Sequence, residues 1–227
     1  MTFHHELFPS NNLKQVNTES GRYYQTEDGT KLWSVTTLLD KVLGDPKKKR
    51  SLENWRKSVG KEKADKILIQ AQRRGTIIHE TLEKYLLNDP KYLSDVLPVN
   101  IETVKKFTTI LDKHISTIYG LEHMLYSKRM HSAGTSDCLA LWDNTFSIID
   151  FKNVRSKKKE SDIQSYFYQA TAYALMTKFR HQVFPEQIVI LMAIDHQKEL
   201  LIFKKKTLEY VKLVYSAFKN KAPKILD

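Results

Sequence analysis

The residues Trp142-Asp143-Asn144-Thr145 constrain this chain more than any other four. Strand-like sequence flanks Asp143-Asn144 on both sides. Asn and Asp tolerate the left-handed backbone that a two-residue hairpin loop requires. Fixing that loop fixes the register, because a slip of one residue would turn every side chain to the opposite face. Trp142 then faces Thr145, and counting outward equally on both sides places Asp137 across from Asp150. Directly opposed residues have Cβ atoms roughly 5 Å apart, and Lys152, two residues further on, points the same way. Leu139, Leu141, Phe146 and Ile148 share that face, so the carboxylates end an apolar surface suited to a covering helix. Each unpaired charge there is costly, and a cation between the two aspartates is expected. Hard oxygen ligands favour Mg²⁺ or Mn²⁺. The plain alternative, an ion pair between Lys152 and one aspartate, leaves the second aspartate unexplained.

Around the hairpin the chain reads as an α/β fold, a mixed central β-sheet flanked by helices. One domain over residues 1–227 is expected, with an irregular arm at 1–33, a mainly helical region at 34–119 and a sheet-containing core at 120–227. The arm is polar, with Asn11-Asn12 and Asp28-Gly29 as turn signals and room for one short hairpin. Ser34 is placed to cap a short helix carrying Val35, Leu38 and Leu39. Lys47 to Arg50 reads as a basic linker, and Ser51 opens a helix containing Trp55. A long helix is expected from about 64 to 87, with Ile78, Leu82, Tyr85 and Leu86 at three- and four-residue spacing. A second is expected over about 100–119, ended by Gly120. Strands are expected at 121–130, 134–142, 145–152, 188–194 and 200–203, and further helices at 163–179 and 206–220.

Thirty-seven Lys and Arg against 26 Asp and Glu leave a net charge of +11. Such an excess favours a polyanionic partner, most simply nucleic acid. The basic runs at 47–50, 157–159 and 204–206 are each ordinary as solvated loops and together suggest a phosphate-tracking surface. Trp33, Trp55, Tyr166, Phe167 and Tyr168 are candidates to stack on unpaired bases, although most aromatics are core. The single cysteine, Cys138, excludes an intrachain disulfide framework and a cysteine-held iron–sulfur cluster. No apolar run reaches the roughly 18 residues of a membrane span. A soluble, intracellular, cytoplasmic monomer is expected.

Three more motifs accompany the hairpin. On the long helix, Arg74-Gly75-Thr76-Ile77-Ile78-His79-Glu80 puts Gly75 and His79 on one face. The glycine is expected to let the helix approach another backbone while His79 reaches the sheet. Gln169 and Tyr173 form an i, i+4 pair on the helix after the hairpin. Glu122 stands on the strand before Gly134-Thr135-Ser136-Asp137, where a solvated strand-end charge explains it equally well.

In this order, G-x-x-x-H, G-x-x-D, D-x-K and Q-x-x-x-Y resemble the RecB-like branch of the PD-(D/E)XK nuclease superfamily. Within that branch the motifs look most like those of mitochondrial genome maintenance exonucleases and their phage relatives. The likeness covers roughly residues 34–180. It implies a restriction-endonuclease-like core with His79, Asp137, Asp150 and the Phe151 backbone carbonyl as ligands to Mg²⁺ or Mn²⁺. It implies Lys152 as the catalytic lysine, with Asp137 and Asp150 also at the chemistry. It implies Gln169 and Tyr173, with Arg74, Thr135 and Glu122 beside them, as site-bracing or DNA-contacting residues. The activity implied is exonucleolytic cleavage of DNA, with single-stranded ends or flaps preferred. A structure-specific endonuclease on the same site and a non-catalytic DNA-binding module are the rivals.

Overall fold

The computed structural model describes residues 2–195, 197 and 199–225. Among them, the strands β1 (His4–His5), β2 (Lys14–Thr18), β3 (Gly21–Gln25), β4 (Lys31–Ser34), β5 (Ile115–Ser127), β6 (Ser132–Trp142), β7 (Thr145–Val154), β8 (Gln187–Ile194) and β9 (Leu200–Lys206) form one mixed sheet. Its main path runs β2-β3-β4-β6-β7-β8-β9, with β5 also on β6 and β1 on β5. The helices are α1 (Val35–Val42), α2 (Pro46–Val59), α3 (Lys61–Leu86), α4 (Pro98–His114), α5 (Gln164–His181) and α6 (Leu208–Lys221).

The hairpin forms as its turn dictates. Asp143 and Asn144 both take positive φ, 49° and 62°, and the ladder runs from Trp142↔Thr145 to Cys138↔Ile149. Alternation then sorts the side chains into two apolar layers. Leu139, Ile148, Ile188 and Ile190 pack with α1, α5 and α6. Cys138, Ala140, Ile149, Val189 and Leu191 pack with α3 and α4. β8 is buried on both faces, as its continuous apolar run requires. Ser34 caps α1, its hydroxyl accepting from the Thr37 N–H at 3.1 Å, an interaction that contributes about 1 kcal/mol in comparable helices.

Three expectations are corrected. The arm at 1–33 is not irregular: β2, β3 and β4 extend the sheet through a hairpin and a turn at Thr26–Thr30. The stretch Lys14–Thr18 is almost wholly exposed, so no apolar alternation marks it. The basic run at 47–50 is not a linker but the first turn of α2, which Asp45 caps and Pro46 opens; proline suits that position because its missing N–H would be unpaired there anyway. The helix expected over 100–119 stops at His114, and Ile115–Tyr119 begin β5. Ile115, Thr117, Ile118 and Tyr119 are β-branched or aromatic, and Gly120 lies within the strand rather than ending a helix.

Candidate metal centre

The centre is built where the sheet opens. β5 follows one edge of β6, while β4 and β7 share the other. β4 pairs only at Ser132 and Ala133, and β7 begins pairing at Cys138. Gly134 to Asp137 therefore lie in a gap between two neighbours, and the ladder stops one residue short of Asp137 and Asp150.

Backbone groups freed at such a break need other partners. The Phe151 N–H donates to Asp137 Oδ2 at 2.8 Å. The Phe151 carbonyl accepts from His79 Nε2 at 2.9 Å. These two bonds anchor the carboxylate and the imidazole on one residue. The other ring nitrogen, Nδ1, then lies 3.5 Å from Asp137 Oδ2 and 3.7 Å from Glu122 Oε1.

Glu122 reaches this point through unusual backbone. Its φ is +39°, left-handed geometry that a non-glycine residue adopts at a cost. The β5–β6 pairing passes from Leu121↔Cys138 to His123↔Ser136 and skips Glu122 and Asp137. His79, Glu122 and Asp137 each offer a ligand atom, all within 4.8 Å of one another. Two carboxylates and one imidazole suit a hard or borderline divalent cation.

Lys152 and Asp150 form the other half of the centre. Lys152 Nζ lies 2.7 Å from Asp150 Oδ1 and 2.6 Å from Oδ2. The Asp150 residue is 3% exposed. Burial pushes its carboxyl up to about 6 even though the Lys152 ammonium opposes the change. Burial would discharge Lys152, but Asp150 and Asp137 outweigh it and hold the amine well above its ordinary value. At neutral pH the pair is charged.

Burial also works to neutralise His79, yet Asp137 and Glu122 raise the imidazole to about 10. Asp137 is lowered: burial works to raise it, and His79, Lys152 and the Phe151 N–H prevail. A protonated His79 thus stands as counter-charge to the two carboxylates around it.

The structure brings together most of the residues singled out in the sequence and regroups them. His79 and Asp137 are in the three-residue group. Glu122 joins them, whereas Asp150 turns to Lys152 and the Phe151 carbonyl turns to His79. Gln169 lies near the Tyr173 hydroxyl and opposes the upward push that burial gives it. The Tyr173 hydroxyl lies 2.9 Å from where a Cβ on Gly134 would be, so that glycine exists to admit the tyrosine beneath the gap. Thr135 is half-buried beside Met124. Arg74 braces the fold, donating to Asn100, Asp195 and Thr103 and so tying α3 to α4 and to the end of β8.

Gly75 is a correction, because a Cβ there would meet nothing within 4 Å; among the described residues, no backbone from another element approaches it. Among the aromatics, Trp33 and Phe167 are core. Tyr166 covers Lys152 with its ring, 5.1 Å from Nζ, a contact that sequence spacing did not single out. Tyr168 packs on Tyr210.

No family model and no curated protein matches the chain. Among solved structures, a candidate exonuclease from Eubacterium rectale aligns with a TM-score of 0.47 and 12% identity, covering 66% of this chain and 64% of that one. The protein SSO0001 aligns with a TM-score of 0.30 and 15% identity, covering 65% and 70%. The chain thus spans less than two thirds of the first relative. Likenesses this distant carry no functional argument, and the reading below rests on the site. Among the described residues, no helix is long and apolar enough to cross a membrane.

Proposed function

We propose that this protein is a metal-dependent nuclease of the PD-(D/E)XK type that hydrolyses DNA from an end, with single-stranded ends or flaps preferred. One observation carries the reading: His79, Glu122 and Asp137 converge within 4.8 Å at a break in the sheet, beside the buried Asp150 and its partly buried partner Lys152.

His79, Glu122 and Asp137 would hold Mg²⁺ or Mn²⁺, with Asp150 close by. Such a cation supplies charge against the phosphodiester and makes water more acidic. To hold a cation at Nδ1, His79 would have to release the proton that Asp137 and Glu122 stabilise there, so cation affinity should rise with pH. Lys152 has the complementary task. Its ammonium, fixed by Asp150 and covered by Tyr166, orients the attacking water and offsets the charge that builds on the phosphate oxygens. Gln169 and Tyr173 keep α5 seated against Gly134 and hold the gap open. The net charge of +11 draws the polyanion toward the site.

The test is a digest of end-labelled single- and double-stranded DNA with Mg²⁺, Mn²⁺ or EDTA. Cleavage with either metal and none with EDTA is expected. A circular single strand should survive. Cleavage that persists in EDTA would remove the metal from the account, and cutting of the circle would replace the exonuclease with an endonuclease.

A further inference from the structure

A basic depression lies where β6 begins and α5 ends. Between β5 and β6 a short 3₁₀ turn, Lys128–Met130, packs beside the last turn of α5. The two segments enclose a surface depression of about 470 Å³. Four cations line it, Lys128 and Arg129 from the turn and Lys178 and Arg180 from the helix, and among the described residues no carboxylate belongs to its lining.

The helix end accounts for part of this, since cations favour the carbonyl end of a helix. It does not account for Lys128 and Arg129, which come from another element. Lys128 pairs with Asp28 outside the lining. The two arginines lie over aromatic rings instead, Arg129 over Phe179 at 6.0 Å and Arg180 over Tyr126 at 5.9 Å. A guanidinium lying over an aromatic ring is oriented while its N–H groups stay available, and its fork matches the oxygens of a phosphate. Lys178 donates to the Gln182 carbonyl at 2.8 Å, and the opposing end charge of α5 amounts to about half a unit, against the three cations, Arg129, Lys178 and Arg180, that face no carboxylate in the lining.

We propose that this depression holds a backbone phosphate of the nucleic acid whose end lies in the metal centre. The proposal rests on the nuclease reading for the second half of that statement. From Asp137 to Ser132, where β6 begins beside the turn, the strand rises about 16 Å. At about 3.4 Å per nucleotide in stacked form, the contact falls roughly five nucleotides from the reacting bond. The chemistry recognised is a phosphodiester, without preference of base.

The test is binding and cleavage by Arg129→Ala/Arg180→Ala, with Arg129→Lys/Arg180→Lys as the charge-retaining partner. Fluorescence anisotropy in EDTA gives affinity and its salt dependence for oligonucleotides of about 20 and about four nucleotides, chosen to span or fall short of the contact. With Mn²⁺ the same strands report cleavage. The alanine variant should bind the long strand about tenfold more weakly, with a salt slope shallower by about 1.4 for two lost single-strand contacts. Its binding and cleavage of the short strand should be unchanged, and the lysine variant should recover most of the affinity. Equal affinity of wild type and alanine variant for the long strand would overturn the contact. So would an equal loss on both lengths, or a lysine variant as weak as alanine with an unchanged melting temperature. If wild type binds the long strand more tightly than the alanine variant but never cuts it, the depression stands as a nucleic-acid site and the nuclease reading falls.

Discussion

The β6–β7 hairpin has two unlike ends. At the turn, Leu139, Leu141, Phe146 and Ile148 keep strict register, and backbone pairs with backbone. At the other end the same two strands part, and side chains take over: Asp137 and His79 hold the N–H and C=O of Phe151. The contrast teaches that the apolar end stabilises the fold while the open end is kept from closing. Closing it would need only one more pair, Asp137 with Asp150. Two like charges directly opposed disfavour that pair, and the chain instead separates them. Asp137 goes to the imidazole, and Asp150 goes to Lys152.

Breaking the open end should have the largest effects. Lys152→Ala should reduce cleavage by about a thousandfold or more, measured as single-turnover rate with Mn²⁺. It should also cost stability, about 3 kcal/mol in denaturant unfolding at neutral pH, because Asp150 is left buried without its partner. An unchanged unfolding midpoint would show that Asp150 finds another counter-charge. Next, Glu122→Gln should weaken Mn²⁺ binding by roughly tenfold to a hundredfold, the range found when a group supporting a metal site is lost. Unchanged affinity would return Glu122 to the role of a solvated strand charge.

Two glycines sharpen the comparison in the fold itself. Gly134→Ala pushes a methyl against Tyr173 and should cost about 1–3 kcal/mol. Gly75→Ala, in the middle of α3 with open space around it, should stabilise by about 0.5–1 kcal/mol. Thermal melts of both variants settle the pair, and a destabilised Gly75→Ala would reveal a neighbour that the helix face does not show.

Outside the centre, His123 and His181 meet through their Nε2 atoms at 3.1 Å. Burial lowers His123 to about 4, helped by His181 and Arg180. Its folded value lies below its unfolded one, so the unfolded chain binds more protons between about pH 6.5 and pH 4. Stability is therefore full above that window and declines as pH falls through it. The expected loss from this residue is about 2 kcal/mol by pH 5, and it should vanish in His123→Phe. A pH slope unchanged in that variant would place the titration elsewhere.

Sequence made the apolar end and its register legible because two residues, Asp143 and Asn144, decide them. It also picked out His79 and Tyr173, whose i, i+4 spacing reports helix faces. Glu122 was legible only as an acid of ambiguous use, since its left-handed backbone arises from the local β5–β6 pairing and leaves no compositional mark. The grouping of Asp150 with Lys152, apart from Asp137, depends on side-chain directions that register alone does not fix. β2 to β4 were hidden for a plainer reason: polar edge strands carry little alternation. Gly75 misled because a helical glycine usually signals close packing and here faces open space.

The central claim is that the open end of the hairpin holds a divalent cation. Calorimetric titration of Mn²⁺ into the wild type and into Asp137→Asn tests it most directly. Saturable binding by the wild type, tighter at higher pH and at least about tenfold weaker in the variant, is the result predicted here. Equal affinity in the two proteins, or no binding by the wild type, would contradict it.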